Sequence, residues 1–260
     1  MLIKHLKKIF DLYIFLNIHV ALSVLALYFI FHHQWNQNYA WFLFTSTVLS
    51  YGIIRLIDVS SNRDIFKSYF YAYRLLFYIV LLLSFLFALG FFLKLNFLTQ
   101  LLIIPLTIIT LTYQTILRRN GIVKILTVAG VWASMIVLLP IEHLKDFDRK
   151  LLLHFIYVFL YVLMLTLSFD QRDVLIDAPE LKTLAQRFPH KKLLIYFTLL
   201  TVFLSMNSFI FTNTRSYLVS NFMILISLVL CFSSKQEKSF YFTAFWIEAL
   251  PIFWYLILKI

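Results

Sequence analysis

Long stretches of nearly continuous apolar residues, near 12–32, 39–57, 69–93, 96–116, 122–140, 150–169, 192–212, 216–233 and 240–259, are set apart by short polar or charged breaks. Each is about 17 to 25 residues long, the length that crosses a hydrocarbon core as a helix rising about 1.5 Å per residue. In lipid every backbone N–H and C=O needs an internal partner, which leaves a helical bundle or a closed barrel, and barrel strands alternate apolar with polar residues. These runs do not alternate, so they predict helices. The third and fourth are separated only by Lys94, Leu95 and Asn96; joined, they would far exceed the bilayer thickness, so two helices are predicted there. The pattern predicts an all-α, polytopic membrane helical bundle of about nine transmembrane helices.

Composition points the same way. Hydrophobic residues make up 62% of the chain and charged residues only 13%, too few polar groups to cover a water-soluble globule of 260 residues. Lys4, Lys7 and Lys8 precede the first run, but that run exceeds a signal-peptide core and lacks a small-residue cleavage pattern, so it is expected to stay as a span. The single cysteine, Cys231, excludes an intrachain disulfide. Without repeats or Pro/Gly-rich linkers, residues 1–260 are expected to form one integral membrane domain.

Orientation follows from Lys and Arg in the short loops. On the N-terminal side lie Lys4, Lys7, Lys8, Arg55, Arg63, Lys67, Arg118, Arg119, Lys124, Arg172, Lys182, Arg187, Lys191, Lys192, Lys235 and Lys238, which makes 16. Lys94, Lys145, Arg149, Lys150, Arg215 and Lys259 lie on the other, which makes 6. This asymmetry predicts a protein of the cytoplasmic (inner) membrane with its N-terminus inside and its C-terminus outside. Basic loops beside anionic headgroups account for most of the net charge of +11, so membrane lipids are expected partners and nucleic acid is not.

Six of the twelve acidic residues fall in two loops of the N-terminal side: Asp58 and Asp64 after the second run, and Asp170, Asp173, Asp177 and Glu180 after the sixth. Asp170, Asp173 and Asp177 stand at i, i+3 and i+7, so a helix continuing past Phe169 would carry all three carboxylates on one face. Such like charges repel unless a cation joins them, and hard oxygen donors suit Mg²⁺ with a bound phosphate better than Zn²⁺. Arg55, Arg118, Lys124, Arg172 and Lys182 could neutralise the outer oxygens of a diphosphate. Solvated loop charges, enriched by topology and turns, are the rival interpretation, and the residues alone leave both open.

The segment Asp170-Gln171-Arg172-Asp173-Val174-Leu175-Ile176-Asp177, followed by Lys182-Thr183-Leu184, resembles the second aspartate-rich motif of the UbiA-type intramembrane prenyltransferases. The basic loop from Tyr113 through Arg118 and Arg119 to Lys124 is similar to that family's segment between its fourth and fifth helices. The likeness covers most of the chain in layout and about twenty residues in motif. It implies a bundle around a central cavity, in which Mg²⁺ and two aspartate-rich motifs bind an isoprenyl diphosphate. Ionisation of the allylic carbon–oxygen bond then yields a carbocation captured by a lipid-soluble acceptor, commonly an aromatic ring or quinone precursor. On this resemblance Asp170, Asp173 and Asp177 are the catalytic metal ligands, with Lys124 and Lys182 as diphosphate contacts. The first motif departs from the family pattern: only Asp58 and Asp64 are carboxylates, Asn62 is a neutral oxygen donor, and Arg55 stands where a metal-binding polar residue is expected. Arg55 could bind diphosphate directly or mark a non-catalytic relative. A transporter using the same cavity for a lipid or anionic ligand is the further alternative.

Polar groups inside the runs are costly and so are candidates for function: Asn17 and His19 in the first, Arg74 in the third, His154 in the sixth and Glu248 in the ninth. His154 and Arg74, near run ends, can snorkel. Tyr113 and Tyr157 are candidate cavity residues, able to stabilise a cation through their ring faces.

Overall fold

The computed structural model describes residues 2–32, 34–60, 67–113, 116–141, 143, 147–175, 177, 179–211, 213–234 and 240–260, with side chains except at 2–4, 58–60 and 119. Among them there is no strand. The helices are α1 (Leu2–Phe15), α2 (Ile18–Phe31), α3 (Gln37–Ser60), α4 (Lys67–Ala72), α5 (Arg74–Phe92), α6 (Phe97–Tyr113), α7 (Gly121–Ala133), α8 (Arg149–Asp173), α9 (Leu184–Arg187), α10 (His190–Asn207), α11 (Thr214–Ser233) and α12 (Leu250–Lys259). A widened π turn extends α7 through Leu138, and another, Phe242–Ile247, precedes α12.

Among the described residues, seven of these segments are long and apolar enough to cross a membrane. The pair α1 and α2, bent by 59°, passes the same test only when taken together, as a broken span or a re-entrant loop. The apolar helix α6, of 17 residues, falls just short of that length. The chain is therefore a polytopic helical bundle by length and composition.

The bend between α1 and α2 divides what the hydrophobic pattern presents as one run. Asn17 adopts a left-handed conformation with φ of 62°, a region in which asparagine is several-fold enriched over other non-glycine residues. The break leaves the Ile14 carbonyl short of a full helical partner, and Arg55 reaches across from α3 to donate to it at 3.2 Å. Between α5 and α6 the division falls at the expected place. The Asn96 side chain accepts from the Thr99 N–H at 2.8 Å, and Gln100 donates to the Phe92 and Leu95 carbonyls, so the turn satisfies its own backbone.

The main core gathers α2, α3, α7, α8, α10, α11 and α12 around Tyr28, Leu43, Val158, Tyr161, Ile224 and Trp254. A smaller cluster of Phe15, Leu16, Phe70 and Phe77 ties α1 to α4 and α5. Side chains facing outward are predominantly large and apolar, among them Leu75, Phe97, Leu199, Met206 and Val229, as expected of a surface that meets hydrocarbon.

Loops at alternate ends of the helices meet one another. At one end His32 bonds the Ile136 carbonyl at 2.8 Å, Tyr39 donates to Met135, and Thr99 donates to Leu139 at 2.9 Å. Arg55 meets Ile14, Lys124 meets Asp170 and Asp177, and Arg172 meets Thr243 at the other. The second end carries the charged residues that the sequence singles out.

Candidate functional site

Helix α8 runs past Phe169 and ends at Asp173. The chain then turns, with the Asp177 N–H on the Asp173 carbonyl at 2.7 Å. This geometry separates the three aspartates into two arrangements. Asp170 and Asp177 converge on Lys124, in the first turn of α7, whose ammonium lies 2.8 Å from a carboxylate oxygen of each. All three residues are buried. Asp173 faces another way and is gripped by its neighbour Arg172, Nε to Oδ1 at 2.7 Å and Nη2 to Oδ2 at 2.9 Å. The same guanidinium donates to Thr243 at 2.8 Å and lies over the rings of Phe169 and Phe240, at 5.2 and 4.9 Å. Five contacts fix it, so Arg172 joins α8 to the approach of α12.

The loop after Asp177 is pinned by residues that the chemistry-first reading overlooks. Thr183 is fully buried and forms a capping box with Gln186, and the Gln186 amide donates to the Asp177 carbonyl at 2.9 Å. Thr183 lies so close to Gly121 that a Cβ there would sit 2.4 Å from the Thr183 Cα. Glycine at the start of α7 is thus what lets the loop lie against Lys124. The T-x-x-Q spacing was the available signal for the cap; the Gly121 approach has none in the sequence. Lys182, left-handed with φ of 49°, is exposed, and Arg118 is partly buried on a 3₁₀ turn ahead of α7.

A second polar group lies one layer inward. His19 pairs with the Tyr13 hydroxyl at 2.7 Å through Nδ1 and with the Phe245 carbonyl at 2.9 Å through Nε2. A carbonyl only accepts, so Nε2 carries a proton and donates. Glu248 follows the π turn Phe242–Ile247, its N–H on the Thr243 carbonyl at 3.3 Å. Beside them Asp11 accepts from both Tyr69 and Tyr241, the latter at 2.6 Å. That hydrogen bond, with burial behind it, pushes the Tyr69 phenol up to about 12.

An apolar cavity of about 200 Å³ opens between α3, α6 and α7. Phe42, Leu43, Ile54, Leu106 and Tyr113 line it, as does Tyr51, whose hydroxyl accepts from the Trp132 indole at 3.1 Å. It is smaller than the ~300–1,000 Å³ of most small-molecule pockets. At Thr127 the cavity comes within one helical turn of Lys124. Tyr157 lies elsewhere, buried at the opposite end among Phe31, Phe211 and Trp254.

Among the described residues, no three His, Cys, Asp or Glu side chains come together as a metal site. Asp170 and Asp177 already hold an ammonium, and Asp173 a guanidinium, so these carboxylates as arranged do not fit Mg²⁺. The backbone of Asp58 closes α3, but its side chain, and Asn62 and Asp64 altogether, lie outside what is described. No family model matches the chain, and neither does any curated protein or solved structure.

Proposed function

We propose that the chain is an intramembrane prenyltransferase of the UbiA type, moving an isoprenyl group from an allylic diphosphate to a lipid-soluble aromatic or quinone-precursor acceptor. One observation carries this reading: an apolar cavity between α3, α6 and α7 comes within one helical turn of Lys124, which holds Asp170 and Asp177. An isoprenyl chain would occupy the cavity, and its diphosphate would meet Arg55, Arg118, Lys124, Arg172 and Lys182 at the charged end. These cations would stabilise the leaving diphosphate as the carbon–oxygen bond breaks, and the dry walls would keep water from the carbocation. Nine spans, with the N-terminus and this charged end in the cytoplasm and the C-terminus outside, belong to the same proposal and rest on the 16 to 6 distribution of Lys and Arg.

Dependence on Mg²⁺ is what the resemblance implies; Asp170, Asp173 and Asp177 would have to exchange Lys124 and Arg172 for the metal to serve as its donors. Purified protein in lipid is expected to release diphosphate from a long allylic diphosphate, in the presence of an aromatic acceptor, with Mg²⁺ and not with EDTA. Asp173→Ala is expected to abolish that turnover; unchanged activity in this variant rejects the mechanism. A second reading, a non-catalytic relative or a transporter that holds a lipid or anionic ligand, is favoured by the pairing of Asp170, Asp173 and Asp177 with the chain's own cations, Lys124 and Arg172. Ligand binding without turnover, insensitive to Mg²⁺ and to Asp58→Ala and Asp64→Ala, supports it.

A further inference from the structure

A second cavity, of about 190 Å³, lies at the end of the bundle opposite Lys124, among the last turn of α2, the first turns of α8 and α11 and the last turn of α12. Lys150 and Asp170 sit on the same helix twenty residues apart, so about 30 Å separates the two sites at 1.5 Å per residue. Lys150, His154 and Lys259 line this cavity, together with Asn213 and Ser216, and among the described residues no aspartate or glutamate does. Arg215 is beside it, its guanidinium on the Ile257 carbonyl at 3.3 Å. The nearest described acid in sequence, Asp148, does not line the cavity and caps α8 by accepting from the Leu151 N–H at 2.7 Å. Glu142 and Asp146 lie outside the described residues.

Lysines from α8 and α12 thus line one hollow at the rim of an apolar bundle, with His154 beside them. Like charges gathered at one hollow repel, and an anion that joins them relieves the repulsion. The amino ends of α8 and α11 add positive potential from the same side. The remaining wall is apolar and aromatic, with Phe29, Phe31, Phe211 and Tyr255 beside Ile210 and Leu258. A free inorganic anion would make no use of that wall.

We infer that this hollow binds the phosphodiester headgroup of an anionic membrane lipid, with the phosphate among Lys150, His154 and Lys259 and the apolar stem against the rings. The inference is independent of the prenyl-transfer reading, since it concerns the other end of the bundle and needs no turnover. Native mass spectrometry of the full chain in detergent tests it, with phosphatidylglycerol, phosphatidylcholine and inorganic phosphate as probes. One phosphatidylglycerol is expected to remain bound, at least about tenfold more weakly in Lys150→Gln/Lys259→Gln, while Lys150→Arg/Lys259→Arg keeps it. The charge-matched variant Lys191→Gln/Lys192→Gln, at the far end, is expected to bind as the unsubstituted chain does, which separates this hollow from general attraction to basic loops. Equal retention of phosphatidylcholine, or unchanged binding by the glutamine pair with helicity intact, overturns the proposal. Displacement of the lipid by millimolar inorganic phosphate rejects the lipid as occupant and leaves a simple anion site.

Discussion

Lys124 carries more of the charged end than any other single residue, because its ammonium holds two carboxylates that would otherwise face each other buried. Removing one member of a buried, hydrogen-bonded charge set leaves the others uncompensated and typically costs about 3–5 kcal/mol. Lys124→Ala is therefore expected to lower the thermal midpoint in detergent steeply, and Lys124→Ala/Asp170→Asn/Asp177→Asn to recover part of the loss. A single substitution that leaves the midpoint in place would mean that the contact contributes nothing. Gly121 offers a sharper test of the same region. A Cβ at that position meets Thr183 backbone at 2.4 and 2.7 Å, and backbone cannot rotate away. Gly121→Ala should cost about 1–3 kcal/mol by overpacking, whereas Gly90→Ala, with nothing within 4 Å, should gain about 0.5–1 kcal/mol from helix propensity. Equal midpoints for the two variants would refute the close approach.

At the scale of elements, the break between α1 and α2 decides where Arg55 goes. The turn at Asn17 leaves the Ile14 carbonyl accepting from the Asn17 N–H at 3.2 Å and open to Arg55, which donates to it at 3.2 Å. Asn17→Gly keeps access to the left-handed conformation and is expected to be nearly neutral. A β-branched residue does not reach it readily, so Asn17→Val should destabilise by about 1–2 kcal/mol. Differential scanning calorimetry in a single detergent distinguishes the two, and identical profiles would dismiss the strain at this joint. The hydrophobic pattern located each of the apolar runs to within a few residues but joined α1 to α2, since a bend made by one left-handed residue leaves the run of apolar side chains intact. It divided α5 from α6 correctly because Lys94 and Asn96 mark that turn in the composition itself.

Across the whole molecule, the two ends differ in charge, and this sets an expectation for topology. Cys231 is fully buried and gives no labelling background. Cysteine introduced at Lys182 should react with an impermeant thiol reagent only from the cytoplasmic side of inverted vesicles, and cysteine at Lys259 only from the opposite side. Labelling of both from one side would reject the proposed orientation and the odd number of spans with it. The sequence by itself determined that the chain is helical and membrane-embedded, because continuous apolar length and the scarcity of charge are local properties that any lipid-exposed backbone must satisfy. It also marked Asp170, Asp173 and Asp177 as one group by their spacing. Only the tertiary structure decided that Asp170 and Asp177 share Lys124 and that Lys150 and Lys259 line one hollow. Those pairings join residues from helices far apart in the chain, so they are set by which faces pack together, and no periodicity along a single segment encodes that.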